Sequence, residues 1–126
     1  MKMMNIGKTS NYLIMYKQGD IVIVPFPFTN LLESKFRPAV VISTSEINKT
    51  NDIILAQITS KTYKDNFSFT IELDKLSSPL EKVSQVRCNK IFTLEKALIR
   101  KIVSSFDSVQ KRYLLNKIRS FIEFES

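Results

Sequence analysis

Branched and aromatic residues fall in short runs over most of the chain, and a helical period takes over only at its end. The first run, Asp20-Ile21-Val22-Ile23-Val24-Pro25, predicts a strand whose pairing Pro25 ends. Phe26 to Phe36, with Pro25 and Pro27 at its start, predicts a loop of about ten residues, longer than a hairpin needs and therefore a candidate for function. Pro38 to Ser43 is a continuous apolar run, as expected of a strand covered on both faces. A turn-like stretch from Asn48 to Asp52 leads to a third strand, Ile53 to Thr59, and then to a polar loop, Ser60 to Asn66. Phe67 to Leu73 alternates with period two, the mark of a half-exposed strand. Asp74 to Leu80 reads as a loop and Ser84 to Phe92 as a fifth strand, while Leu98 to Val103 fits either a short strand or a helical turn.

The last element is a helix from about Asp107 to Phe124, with Asp107 as its cap and Gln110 completing a capping box. Val109, Tyr113, Leu114, Ile118, Phe121 and Ile122 form its expected apolar stripe, and Arg112, Asn116 and Arg119 take another face. Several short strands and one closing helix predict a mainly β fold: a curved antiparallel sheet or partly open barrel with the helix packed on it. The 126 residues suit one domain, taken here as residues 18–126. Residues 1–17 read as a loosely ordered extension without a signal-peptide pattern, and Met15 is an alternative start.

Composition narrows the chemistry. The chain has no histidine, one cysteine (Cys88) and two glycines (Gly7, Gly19). A histidine base, a Ser-His-Asp triad, the usual zinc sites and a Gly-rich phosphate cradle are all excluded, so no metal or cofactor is expected. A single thiol allows no internal disulfide and fits a reducing cytoplasm. No stretch is apolar enough to span a membrane. The formal net charge is +7, and it resides between Arg87 and Arg119, where nine basic residues face only Glu95 and Asp107. That stretch points to nucleic acid or an acidic partner, with a solvated helix face as the plain alternative.

The remaining candidates are arginines, hydroxyls and carboxylates at strand ends. Arg37 opens the second strand just before Pro38, where its planar fork suits a phosphate; a surface ion pair with Glu33 or Glu46 is the alternative. Thr59 closes the third strand and is followed by Ser60. Its hydroxyl suits a phosphate oxygen, although β propensity alone would also place a threonine there.

The run Gly19-Asp20-Ile21-Val22-Ile23-Val24-Pro25-Phe26-Pro27-Phe28-Thr29-Asn30, followed by Arg37-Pro38-Ala39-Val40-Val41-Ile42-Ser43, resembles the MazF/PemK/Kid toxin family. Ala56-Gln57-Ile58-Thr59-Ser60 resembles its next strand, and Val86-Arg87-Cys88-Asn89-Lys90 and Thr93-Leu94-Glu95-Lys96 its late strand. The likeness covers roughly Gln18 to Ile122. It implies an SH3-like, partly open antiparallel barrel of the PemK/MazF/CcdB kind in a two-fold homodimer. It also implies the toxin of a type II toxin–antitoxin system, inhibited by a cognate antitoxin whose acidic disordered tail fills the RNA groove. The implied activity is metal-independent, sequence-selective cleavage of single-stranded RNA by the substrate's own 2′-hydroxyl, leaving 2′,3′-cyclic phosphate and 5′-hydroxyl ends.

On that resemblance Arg37 is the phosphate clamp and a candidate proton donor to the leaving oxygen, Thr59 holds a non-bridging oxygen, and Glu33 is the nearest candidate base. Arg87 matches an arginine that Kid-like relatives use near the scissile phosphate, but their aspartate two residues later is Asn89 here, which cannot serve as a carboxylate base. Phe28, Phe36 and Tyr63 are candidates to stack on bases, with Phe28 and Phe36 alternatively core or dimer residues. Lys35, Lys61 and Lys64 are candidates to track the backbone. Two other functions compete: a Mg²⁺ nuclease built on Asp20 with Glu33-Ser34-Lys35, and a non-catalytic binder on the same fold, either a CcdB-like gyrase poison or an inactive RNA-binding homologue.

Overall fold

The computed structural model describes residues 14–26 and 35–126. The strands are β1 (Asp20–Pro25), β2 (Phe36–Val41), β3 (Asp52–Thr59), β4 (Ser68–Thr70), β5 (Gln85–Glu95) and β6 (Lys101–Ser105). The helices are the single turn α1 (Ser45–Asn48) and the terminal α2 (Ser108–Ser120). The strands form one six-stranded sheet in the order β4-β5-β3-β2-β1-β6, and every neighbouring pair is antiparallel. The chain after β4 then crosses to the far edge. Leu76 bridges Phe106, Ser77 N donates to Ser105 O at 2.9 Å and Asp107 N to Lys75 O at 2.9 Å. These bonds link the two edges and curl the sheet into a half-barrel, which covers strand edges that would otherwise pair with other chains.

Alternation sends each strand's side chains to two apolar faces. One face carries Ile21, Val40, Ala56, Ile58 and Val86 and packs on Leu114 and Ile118 of α2. The other carries Val22, Val24, Ala39, Val41, Ile53 and Leu55, under Tyr16, Phe26, Phe92 and Ile99. Val40 and Val41 are both fully buried, so the apolar run is indeed covered on both sides. Gly19 adopts a φ of +96°, a conformation that favours glycine, and ties two strands: its N–H donates to Val41 O and its carbonyl accepts from Phe106 N.

Several expectations change. Pairing continues past Pro25, which sits opposite Phe36, and Phe26 N then donates to Lys35 O at 3.0 Å. β2 lies two residues earlier than the apolar run predicted, and β4 is far shorter than Phe67–Leu73. The ambiguous segment is a helical turn, Lys96–Leu98, followed by β6. Tyr16, assigned to the extension, is buried in the core, so packing begins ahead of Gln18.

The helix ends at Ser120 rather than Phe124, and its stripe is narrower than predicted. Leu114 and Ile118 are buried, but Val109, Tyr113, Phe121 and Ile122 are exposed. Tyr113 and Phe121 lean edge-on against Phe69 and Phe67 instead. Asp107 caps the helix by accepting from Gln110 N at 2.9 Å. The Gln110 side chain does not close the capping box. It binds the Glu72 backbone, accepting from Glu72 N at 2.7 Å and donating to Glu72 O at 3.3 Å. No helix among the described residues is long and apolar enough to cross a membrane.

Candidate functional site

Arg37 and Thr59 come from neighbouring strands. The pairing of β2 with β3 ends at Ala39 and Gln57; Arg37 and Thr59 each lie two residues beyond that pair, and both border one cavity. The next strand extends this row, because Thr59 pairs with Gln85 and Gln57 with Arg87. β4 ends it, with Ser68 opposite Arg87. Between Arg87 and Ile91 the long strand bulges, so that Cys88, Asn89 and Lys90 have no partner across from β3. The bulge is a local irregularity that re-aims side chains, and it brings Arg87 into line with Gln57 and Thr59. The outcome is a polar row, Arg37-Thr59-Gln57-Gln85-Arg87-Ser68, on a face that is otherwise apolar.

The row is unusually short of partners. The buried side-chain polar atoms that lack a hydrogen bond among the described residues are Arg37 Nε, Ser68 Oγ and Arg87 Nε, all three within it. An unpaired buried donor costs about 1–3 kcal/mol, so three such atoms in one row set it apart from the other buried polar groups among the described residues. The Arg37 guanidinium lies 5.6 Å from the centroid of the Phe26 ring, and Phe26 is set edge-on against Phe92. Among the described residues no carboxylate lies within 4.0 Å of Arg37. The alternative partner Glu46 sits in α1, beyond the opposite end of β2. Thr59 is buried at 5 % exposure, and its Oγ1 accepts from Lys61 N at 3.1 Å, which leaves its proton free to donate. Arg37, Thr59 and Ser60 border a cavity of about 560 Å³ that is also lined by Ile23, Ile58 and Val103 and by Glu81, Lys82 and Ser84.

The other sequence candidates divide. Phe28 and Glu33 lie outside the described residues. Phe36 is exposed, borders the cavity and carries the Arg100 guanidinium 3.8 Å from its ring centroid. Lys35, Lys61 and Lys64 are exposed on the connections flanking Arg37 and Thr59. Asn89 is exposed within the bulge. The Tyr63 ring is already engaged, with the Arg87 guanidinium 3.7 Å from its centroid, so it is not a free stacking platform on that face. Sequence reasoning missed Gln57, Gln85, Ser68 and Asp65; the register and the bulge align the first three with Arg87 and Thr59, and Asp65 reaches Arg87 from the loop before β4. Of the pattern read as a Mg²⁺ site, Asp20 and Lys35 are not drawn together: Asp20 opens β1 and accepts from Lys17 N, while Lys35 lies beyond the other end of that strand; Ser34, like Glu33, lies outside the described residues. Burial pushes the Asp20 carboxyl above its usual range, against the opposing Lys17 backbone bond and nearby lysines. Burial likewise pushes the Cys88 thiol up to about 11.

Comparison with known proteins bears on the fold and the family. No curated protein matches significantly. Among solved structures, an endoribonuclease in complex with its cognate antitoxin from a Mycobacterial species superposes with a TM-score of 0.71 at 13% identity, covering 88% of this chain and 98% of that one. MazF in the MazE–MazF complex of Deinococcus radiodurans gives 0.70 at 19% identity, covering 89% and 100%. The Mycobacterium tuberculosis toxin MazF-mt6 gives 0.67 at 15% identity, covering 85% and 99%. These likenesses establish the fold. The model of the PemK-like, MazF-like toxins of type II toxin–antitoxin systems matches residues 17–122, nearly the whole packed body, and the chain belongs to that family.

Proposed function

We propose that this toxin is a metal-independent endoribonuclease that cuts single-stranded RNA with the substrate's own 2′-hydroxyl. The observation that carries the proposal is the half-buried Arg37 guanidinium, with no carboxylate within reach among the described residues, bordering the same cavity as Thr59. An internal nucleophile asks the protein for position, charge stabilisation and proton transfer. Those are tasks for an arginine, a hydroxyl and a carboxylate, and none needs the histidine the chain lacks.

Arg37 clamps the scissile phosphate through its planar fork and stabilises the charge that builds on the phosphorane. Thr59 donates its free proton to a non-bridging oxygen. The 2′-oxygen attacks phosphorus as the bond to the 5′-oxygen breaks, and the 2′-proton leaves to a base, for which Glu33 is the candidate. Arg37, the candidate proton donor, gives a proton to the leaving 5′-oxygen and regains one from solvent, and the products are a 2′,3′-cyclic phosphate and a 5′-hydroxyl. Holding the ribose oxygen in line contributes about 7–11 kcal/mol of barrier lowering. One well-placed donor adds about 3–4 kcal/mol.

Phe28 and the face of the Phe36 ring that Arg100 leaves open stack on bases, and Lys35, Lys61, Lys64, Arg87, Asn89 and Ser60 hold the strand. The toxin works as a homodimer, and its antitoxin neutralises it with an acidic tail laid along the same groove. The excess of basic residues from Arg87 to Arg119 supports that pairing of charges. The test is incubation of purified toxin with a defined RNA in EDTA without ATP, followed by mapping of the ends. Cyclic phosphate and 5′-hydroxyl ends are expected; intact RNA, or cutting that needs added metal, would reject the proposal.

A further inference from the structure

Arg87 lies two strands from Arg37 on the same face, so their backbones are about 10 Å apart across the sheet. Its side chain is only 12% exposed. The guanidinium is held by a ring and a charge: it lies 3.7 Å from the centroid of Tyr63, and one terminal nitrogen is 3.6 Å from Asp65 Oδ2, beyond hydrogen-bond length. Its Nε has no hydrogen-bond partner among the described residues. The loop that supplies the ring and the charge is itself fastened down. Tyr63 N donates to Gln85 Oε1 at 2.9 Å, and Gln85 Nε2 returns a bond to Tyr63 O at 3.4 Å. Phe67 N donates to Asp65 Oδ1 at 2.9 Å. Gln85 is buried two residues before Arg87 on β5, so one short stretch of strand anchors both the arginine and the loop that covers it.

We infer that Tyr63 and Gln85 are positioning residues that hold Arg87 as a second phosphate anchor for the RNA strand clamped at Arg37. This inference rests on the ribonuclease reading and gives Tyr63 a different task from base stacking. Gln85 fixes the Tyr63 backbone, the Tyr63 ring fixes the plane of the guanidinium, and Asp65 supplies a charge without using up the donors. Nε is buried, so the capacity left for a backbone phosphate lies in the terminal nitrogens, and their orientation is set before the RNA arrives. Tyr63 therefore acts through Arg87.

The test is a double-mutant cycle on full-length toxin. The probe is a fluorescein-labelled, mixed-sequence single-stranded RNA carrying 2′-O-methyl groups throughout, so that it binds without being cut. Anisotropy is read across a range of salt concentrations, with melting followed in parallel. Arg87→Gln should weaken binding about tenfold and flatten the salt dependence by about 0.7, the single-strand value for one phosphate contact. Tyr63→Ala and Tyr63→Leu should reproduce both changes at unchanged melting temperature, and Tyr63→Phe should restore binding. In the Arg87→Gln protein, Tyr63→Ala should change nothing further. Additive losses would show that Tyr63 touches RNA itself and would overturn the inference, as would wild-type binding by Tyr63→Leu. Wild-type toxin that neither binds the probe nor cuts unmodified RNA would sink the ribonuclease reading instead.

Discussion

At the end of the sheet where β2 finishes and β3 begins, Ser43 Oγ donates to Asn48 Oδ1. Asn48 Nδ2 donates to the carbonyls of Tyr16 and Ser43, Ile54 N donates to Ser43 Oγ, and the buried Lys96 ammonium donates to Asn48 O at 2.8 Å. At the opposite end of β2 and β3 lie Arg37, Thr59 and Gln57, with Gln85 and Arg87 of β5 and Ser68 of β4 beside them. Both clusters are largely buried and polar, but only the second holds buried side-chain atoms without hydrogen-bond partners among the described residues. The first cluster satisfies itself, which is what a structural network must do in a low-dielectric setting. The second leaves arginine and serine capacity unspent. On the proposed function, the contrast separates polar residues that hold the fold from polar residues kept for the RNA, which burial alone would not do.

The largest expected effect sharpens the reading of the open end. Replacing the ribose 2′-hydroxyl at the cleaved nucleotide by hydrogen should abolish cutting there while binding persists, because the polar row is assigned no nucleophile of its own. Cleavage of the deoxy-substituted strand at the same bond would point to a protein nucleophile or an activated water. Next, Thr59→Val should lower single-turnover cleavage about 100-fold, the usual cost of one charge-stabilising donor. The methyl replaces the hydroxyl at nearly constant volume, so melting should move little; an unchanged rate would remove Thr59 from the site.

The saturated end should behave in the opposite way. Asn48→Ala removes the buried acceptor of the Ser43 hydroxyl and the donor to the Tyr16 and Ser43 carbonyls, so it should destabilise the protein by about 3 kcal/mol in denaturant titration. Cleavage per folded molecule should stay within about twofold. A variant of normal stability but lost activity would erase the distinction between the two ends.

How much of this was legible in the sequence follows from how local each cause is. Branched runs mark β1, β2 and β3, and strand-end placement singles out Arg37 and Thr59, because both signals sit within a few neighbouring residues. The join from Thr59 to Gln85 and from Gln57 to Arg87 depends on pairing between distant segments and on the bulge at Cys88–Lys90. Local periodicity carries no trace of either. The helix stripe is narrower than its period implies for a similar reason: Tyr113 and Phe121 are apolar and correctly spaced, yet they meet Phe69 and Phe67 at the edge of β4 instead of the core. Gln110 has the spacing of a capping-box residue and is instead the tie to Glu72, a partner 38 positions away.

The smallest expected effect concerns Cys88, on the core face and held at about 11 by burial. Its raised value favours the folded state below the ordinary value of 9.0, and that contribution is lost as pH climbs toward about 11. At about pH 8, below the ordinary thiol range, the thiol should react with an alkylating reagent only as fast as the protein unfolds, and prompt labelling of native toxin would show that the core is open there.

The most direct test of the central claim is Arg37→Ala, measured for single-turnover RNA cleavage and for thermal melting on the same preparation. An arginine kept for the substrate predicts at least a roughly hundredfold slower cleavage with the melting temperature essentially unchanged. Full activity in that variant, or loss of activity only in step with loss of folding, would contradict the account.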